Sequence, residues 1–224
     1  MFDIHDLVGD TLIKKILEKE VKEEHAEIPY EDTSVRELLT LMKDNSELIT
    51  DLAYAAIAFD SKELAEEVRH LETEMDKMMY QIRLKCMLSA RTIEDAEQLS
   101  GLLQVASAAE KISDAVEDMV ELLDMDVELR PILPHILKEA DEKIHTVKIY
   151  KDSDIANRSI GSLQLESHTG VRVIAVRRKN RWIYGPDADT ILRAEDLMVV
   201  RGVEMGYEEL REVAHGQISW RSVI

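Results

Sequence analysis

The chain has 224 residues, a formal net charge of −18 and an apolar fraction of 45%, values that fit a globular protein and exclude a disordered one. Its longest uninterrupted apolar run, residues 52–59, is far shorter than the roughly 20 residues that span a bilayer. The first residues lack the basic and apolar regions of a secretory signal. A single cysteine, Cys86, excludes an intrachain disulfide and a cysteine-based metal cluster. We expect a cytoplasmic protein without membrane insertion.

The charge divides the chain into two parts. Residues 1–143 carry 35 acidic and 16 basic residues, a net charge of −19, whereas residues 144–224 carry 11 and 12, a net charge of +1. The acidic part would repel a phosphate backbone, and the basic part is too small for a duplex-binding surface. We therefore expect no binding to nucleic acid.

The first part has the periodicity of helices. A helix is expected over about residues 7–25, ended by Pro29. Capping boxes predict two further helix starts, Ser34 with Glu37 and Thr92 with Asp95. Between them Asp60 and Ser61 restart a helix whose apolar residues follow a 4-3-4-3-4 spacing: Leu64, Val68, Leu71, Met75, Met78 and Ile82.

The third helix carries its apolar face from Leu99 to Leu123, and Pro131 and Pro134 mark the end of the helical region. One short helix is expected after them. Long capped helices joined by short loops favour an antiparallel helical bundle over residues 1–143. Either the helix at residues 7–25 folds back as a fourth member in a monomer, or a second chain covers the open side. The small residues Ala53, Ala55, Ala56 and Ala58 suggest the second arrangement, a homodimer.

The second part changes to the period of strands. Residues 146–150 and the apolar run Val173–Val176 predict strands, Lys179 and Asn180 a hairpin turn, and residues 181–184 a return strand. A last strand and a closing helix follow. The order β-α-β-β-β-α predicts a small α+β domain over residues 144–224. The fold class is thus multi-domain, an α bundle and then an α+β domain.

Two acidic pairs are candidates for metal binding. Glu72 with Asp76 and Glu110 with Asp114 are each four residues apart, so each pair shares one helix face and offers oxygen ligands to a cation. Acidic pairs at this spacing are also common on solvated helix faces, which is the alternative interpretation.

A basic cluster is the second candidate site. Arg177 and Arg178 directly follow an apolar strand, and a guanidinium at that position presents a bidentate fork to phosphate. The alternative is that Arg178 only pairs with Glu195 or Asp196 across the sheet. Motifs of catalysis are missing: there is no G-x-G-x-x-G turn, P-loop, G-x-S-x-G elbow or H-E-x-x-H. We expect no enzyme, and no binding of NAD(H) or ATP.

The order of turns and strands from Ile144 to about residue 215 resembles the C-terminal domain of TrkA-type regulators of potassium conductance, the RCK C-terminal domain. The similarity includes Gly170-Val171, the apolar strand with its arginine, Pro186-Asp187, the Glu195-Asp196 turn and Gly202. The helical part is similar to one three-helix repeat of PhoU-like regulators. Its suggestive segments are HLETEMDKM and AAEKISDAVEDM.

These resemblances imply site residues. Relatives of the first family hold a cyclic dinucleotide such as cyclic di-AMP at a dimer interface, and the matching positions here are Val173, Ile174, Arg178, Asn180 and Pro186, beside Arg177. PhoU-like proteins hold metal clusters, which the resemblance carries onto Glu72, Asp76, Glu110 and Asp114. A divalent metal is therefore expected in the helical bundle if that resemblance extends to function.

The sequence leaves three hypotheses. The first is a cytoplasmic regulator that binds a small anionic effector in its C-terminal domain and acts on a membrane channel or transporter, most plausibly for potassium. The second is a metal- or phosphate-responsive PhoU-like signalling protein in which the helical bundle is the sensor. The third is an assembly scaffold without a ligand.

Overall fold

A computed structural model of the chain describes residues 32–125 and 140–224. The first range folds into three antiparallel helices, which confirms the helical bundle: α1 (Val35–Phe59), α2 (Lys62–Ser89) and α3 (Ile93–Glu121), with a 3-10 turn at Leu122–Asp124. The helix predicted over residues 7–25 and the short helix after Pro134 lie outside the described residues. No helix in the described ranges combines the length and hydropathy needed to cross a bilayer.

The helix starts form where the capping boxes predict them. Ser34 Oγ accepts from the Glu37 backbone N–H at 3.2 Å, while the Glu37 carboxylate accepts from the Ser34 N–H at 2.8 Å. Thr92 and Asp95 make the same reciprocal pair at 3.1 and 3.0 Å. Both boxes satisfy backbone donors that the first helical turn leaves without intrahelical partners.

The bundle core contains most of the predicted apolar faces. Leu64, Val68, Met75 and Ile82 are almost fully buried on α2, and Cys86 beyond them is buried as well. Two apolar residues of these helices instead lie at the surface: Phe59, at the end of α1, and Leu102, on the α3 face that was predicted to be apolar, are each 39% exposed.

The alanines of α1 do not form an outer surface. Ala53, Ala55 and Ala56 have no exposed area and pack inside the chain's own core. The part of the dimer argument that used them for contact with a second chain was therefore wrong. Their small side chains let α1 approach neighbouring elements of the same chain.

The second described range forms the predicted α+β domain. Its elements are β1 (Glu142–Lys148), the short helices α4 (Ile160–Leu163) and α5 (Leu165–Thr169), β2 (Arg172–Arg178), β3 (Arg181–Tyr184), β4 (Leu197–Val203) and α6 (Glu204–Ala214). The strands form one antiparallel sheet in the order β1-β4-β2-β3. Strand β1 spans the division predicted between residues 143 and 144, and that division stays a prediction.

The sheet is covered on both faces. One face packs on α6 and the short helices through a core that includes Val147, Val173 and Leu210. The other face, with Ile174 and Val199, shares a core with the helical bundle. Since one strand supplies residues to both cores, the bundle and the sheet domain are held together by apolar packing.

Candidate functional site

Three carboxylates from two helices meet on the surface of the bundle. Glu72 and Asp76 lie one turn apart on α2, and Asp114 lies on α3; one oxygen of each falls within 4.8 Å of the others. Glu72 is half-buried, whereas Asp76 and Asp114 are exposed. The antiparallel packing of α2 and α3 brings together residues that the sequence separates by about 40 positions.

The carboxylates of this cluster raise the pKa of one of its members. Burial raises the pKa of Glu72 to about 7, and the neighbouring carboxylates Asp76, Glu117 and Asp114 contribute to the rise. A hydrogen bond to Asp76 favours the protonated form as well. Burial and the neighbouring negative charges therefore both favour the protonated form of Glu72. A cation would remove that repulsion and draw the proton off Glu72.

The fourth predicted ligand, Glu110, lies one helical turn before Asp114 but does not join the three. Burial and the charge of Asp114 raise its pKa, while the Arg83 guanidinium lies 3.8 Å from its carboxylate. The positive charge of Arg83 at this position competes with a cation for Glu110. Oxygen-only ligands suit a hard divalent ion, so the three grouped residues fit the expected metal in chemistry.

Strand β2 positions the first residues of the predicted anion site, and it buries them. Val173 points into the core beneath α6, whereas Ile174 lies in the core shared with the bundle. A ligand between subunits could not touch both side chains, because they lie on opposite faces of the sheet. It could reach only the main chain at these positions. The Ile174 carbonyl already accepts from the Gly185 N–H at 2.9 Å.

Arg178 is bound within its own domain. Its Nε and Nη2 donate to the two oxygens of Asp196 at 2.9 and 2.7 Å, and Nη2 also donates to the Ile191 carbonyl at 2.6 Å. Asp196 is 1% exposed and accepts a further bond from the Arg193 N–H. The alternative in which Arg178 pairs across the sheet is therefore what the structure contains. Three of the five guanidinium N–H donors are used.

The other residues of the basic cluster lie near the same end of the sheet. Lys179, with a φ of 57°, and Asn180 form the two-residue turn between β2 and β3, as predicted. The Arg177 guanidinium lies 5.5 Å from the centre of the Trp182 ring, a cation–π contact on the sheet face opposite Arg178. Arg181 is exposed on the edge strand, and Pro186 is half-buried beyond its end.

Sequence reasoning missed a charged network between the bundle and the sheet. Asp51 on α1 is 3% exposed and accepts from Arg201 on β4 at 2.5 Å. Arg201 also pairs with Glu142 at 3.3 Å, and Arg172 pairs with Glu47 at 3.1 Å. The one feature of the sequence that could have indicated this network is Asp51, an acidic residue between the apolar positions of a helix face.

Asp51 is incompletely compensated. Its Oδ2 atom is buried without a hydrogen-bond partner in the described part of the chain. Burial raises the pKa of Asp51, although the positive charges of Arg201 and Arg172 act in the opposite direction. The Asp51 carboxylate therefore lies between the bundle and the sheet with its negative charge only partly compensated.

Comparison with known proteins assigns both parts of the chain. A family model for the PhoU domain matches residues 39–123, and one for the TrkA-C domain matches residues 144–215. Both families are regulatory domains rather than enzymes. A search of curated proteins finds no match.

Solved structures with partial similarity include two structures of BusR and one of a channel. The RCK_C domain dimer of S. agalactiae BusR in complex with c-di-AMP is 19% identical, and the match covers 35% of this chain and 96% of that one, with a TM-score of 0.33. BusR with its busAB-promotor DNA is 15% identical over 77% of this chain and 97% of that one, with a TM-score of 0.32.

The third is the GsuK channel bound to NAD, which is 13% identical over 61% of this chain, with a TM-score of 0.32. This chain covers 25% of the GsuK chain. The family matches carry the assignment: the chain is a TrkA-C (RCK C-terminal) domain protein with a PhoU domain on its N-terminal side.

Proposed function

We propose that this protein is a cytoplasmic regulator of cation transport, most plausibly of potassium. Its C-terminal domain would bind a small anionic effector, and the chain would act as a homodimer on a membrane channel or transporter. The observation that carries the proposal is the presence of a TrkA-C match and a PhoU match on one chain. Neither domain supplies the motifs of an enzyme.

The effector we propose is a phosphodiester such as cyclic di-AMP, the ligand in the BusR domain structure. In a chain of net charge −18, the exposed residues Arg177, Lys179 and Arg181 make a local positive surface at the end of the sheet. Such a surface attracts an anion that the remainder of the protein repels.

Arg178 would be the residue that responds to the effector. Its guanidinium has two N–H donors on Nη1 beyond the three bonds described above, and a phosphate could accept these without breaking the Asp196 pair. Val173, Ile174 and Pro186 would contribute backbone and shape, while Asn180 would offer its amide from the turn.

Isothermal titration calorimetry with cyclic di-AMP tests this assignment. Arg178→Lys keeps a positive charge beside Asp196 but removes the fork, and we expect about tenfold weaker binding or more, since one charge-assisted contact contributes roughly 1.5–3 kcal/mol. Arg181→Ala is the matched control, because it removes a charge of the same cluster from an exposed edge position. Wild-type protein that gives no binding heat would refute the effector, and equal affinities of the two variants would refute the role of Arg178.

A second candidate function is metal sensing by the bundle. The observation that favours it is the convergence of Glu72, Asp76 and Asp114 within 4.8 Å. Mn²⁺ and Zn²⁺ should bind the purified protein, and Glu72→Gln should weaken that binding at least about tenfold through the loss of one anionic ligand. Glu94→Gln, an exposed change on the first turn of α3, is the control. Stoichiometric iron or zinc in the purified protein would favour this function, whereas titrations that detect no metal binding would remove it.

A further inference from the structure

Strand β2 departs from the alternation of a regular strand at Ile174 and Ala175. In a regular strand, successive side chains point to opposite faces of the sheet. Val173 and Val176 lie in the core beneath α6, whereas Ile174 and Ala175 both lie in the core shared with the bundle. Two consecutive residues of β2 therefore face the bundle.

The pairing of β2 with β4 explains this departure. Val173 pairs with Val200 of β4. Ala175 pairs with Val199, the adjacent residue of β4, which leaves Ile174 as the extra residue of a β-bulge. The bulge adds one apolar side chain to the bundle-facing side of the sheet. The residues on either side of it keep the faces that a regular strand without Ile174 would give them.

The bulge is seated against α1. Ile174 is 1% exposed, and the single methyl group of Ala175 lets two consecutive residues occupy one buried face. The Ile174 carbonyl accepts from the Gly185 N–H. Gly185 has a φ of 51°, and a Cβ at this position would lie 2.9 Å from the Leu48 side chain of α1. The segment that bonds the bulge therefore lies against α1 as well.

Charged residues on the same face of the sheet also depend on α1. Arg172 and Arg201 are cross-strand partners, and like charges directly opposite each other destabilise a sheet. Glu47 of α1 pairs with Arg172. Asp51 of α1 pairs with Arg201, which also pairs with Glu142 of β1. This face of the sheet thus matches α1 both in apolar packing and in charge.

We propose that Ile174 is the positioning residue that couples the two domains. The bulge fixes the TrkA-C domain on α1, whereas the sheet itself folds without it. A buried apolar residue surrounded by polar pairs is the arrangement in which a few side chains carry most of the stability of an interface. Two domains coupled in this way unfold as one unit, so a ligand bound in either domain stabilises both.

A bulge can instead serve only its own sheet, by bending the strand and increasing its twist. The pairing argues against that role at Ile174, because deletion of this residue leaves an unbroken ladder between β2 and β4 with each following residue on its present face. A deletion at a regularly paired position, such as Val199, would move the following residues to the opposite face.

Hydrogen exchange of the full chain, measured peptide by peptide, tests the proposal. In the wild type we expect the most protected amides of α1 and of β4 to have the same protection factor, because both exchange only when the whole unit unfolds. Deletion of Ile174 should separate the two factors by at least about tenfold, with β2 and β4 still protected. Ile174→Ala keeps the bulge but removes most of its side chain, and it should cause a smaller separation.

Val173→Ala is the matched control, since it removes apolar groups from the neighbouring residue, which faces α6. It should lower both protection factors together, because the coupling to α1 is intact.

Three results would overturn the proposal. Wild-type protection factors that already differ by more than about tenfold would show that the domains are not coupled. Equal factors after deletion of Ile174 would place the coupling at other contacts, such as the charged pairs with α1. Loss of protection in β2 and β4 while α1 keeps its own would show that the bulge serves the sheet itself.

Discussion

The two candidate sites differ in how far their charged side chains are paired with groups of opposite charge. At the end of the sheet, Arg178 is held by both oxygens of the buried Asp196, so its charge is compensated within the domain. On the bundle, Glu72, Asp76 and Asp114 lie together, and burial and the neighbouring carboxylates raise the pKa of Glu72 to about 7. The sheet site is electrostatically complete, whereas the carboxylates of the bundle oppose one another's ionisation.

The difference indicates what a ligand would change at each site. A cation bound at the bundle would reduce the repulsion among the three carboxylates, so its binding should raise the stability of the folded protein and release a proton. An anion at the sheet would add to a pair that is already formed, and it would gain from the exposed cations around the pair.

Arg178→Ala should have the largest effect, because it leaves Asp196 charged and buried without its partner. We expect a loss of about 3–5 kcal/mol in the free energy of unfolding. Urea unfolding followed by tryptophan fluorescence reports on this domain, since both tryptophans, Trp182 and Trp220, lie in it. Arg181→Ala, the control, should stay within about 0.5 kcal/mol of the wild type. Equal losses for the two variants would show that the sheet site is not electrostatically complete.

Glu72→Gln tests the opposite property of the bundle. Because the folded-state pKa of Glu72 is raised to about 7, the folded protein binds a proton more tightly than the unfolded chain, and stability should fall as the pH rises through that value. The glutamine resembles the protonated form. At pH 8 with EDTA it should be more stable than the wild type by about 1 kcal/mol, after allowance for solvent screening.

The gain from Glu72→Gln should shrink toward zero at pH 5, where the wild-type carboxyl is protonated in the folded state. Thermal unfolding followed by circular dichroism at 222 nm measures both conditions on the helical domain. Glu94→Gln should show no comparable pH dependence. A gain that is the same at pH 5 and pH 8 would argue against repulsion as its cause.

Asp51 is intermediate, since Arg201 compensates only one of its oxygens. Burial raises the pKa of Asp51, so its charge costs stability above that pKa, and this cost is removed as the pH falls through it. Asp51→Asn should therefore be neutral or more stable by up to about 1 kcal/mol at pH 8, with the difference lost near pH 4. Urea unfolding at the two pH values measures this. A clear destabilisation at pH 8 would mean that the Arg201 pair outweighs burial.

The pair of Glu47 with Arg172 should matter least, because both side chains are substantially exposed to solvent. We expect Glu47→Gln to lower the free energy of unfolding by less than about 0.5 kcal/mol, and 0.5 M NaCl to abolish the difference. Urea unfolding with and without salt is the measurement. A larger, salt-resistant loss would show that this contact holds the bundle on the sheet.

The sequence predicted those parts of the fold that depend on local spacing. Capping boxes at Ser34 and Thr92, the α2 seam and the order of elements after residue 142 all follow from neighbours along the chain. The sequence predicted that Arg178 pairs with either Glu195 or Asp196. Only the folded sheet shows that the partner is Asp196. Glu110 lies outside the group of three carboxylates and near Arg83, and no spacing rule specifies either position.

Contacts between distant segments were not predictable in the same way. The burial of Ile174 against the bundle requires the sheet to dock on α1, which a strand pattern does not reveal. Ala53, Ala55 and Ala56, which the sequence suggested for a second chain, are buried in the core that contains Ile174. Apolar periodicity shows that a face is covered, and the tertiary fold determines what covers it.

Native mass spectrometry of the purified chain with cyclic di-AMP tests the effector site at Arg178. We expect a complex of two 25.6 kDa chains with one dinucleotide, retained by Glu72→Gln, weakened by Arg178→Lys, and absent when ATP replaces the dinucleotide. A spectrum in which cyclic di-AMP is not retained, or is retained equally by Arg178→Lys and the wild type, would contradict an effector site at Arg178 in the TrkA-C domain.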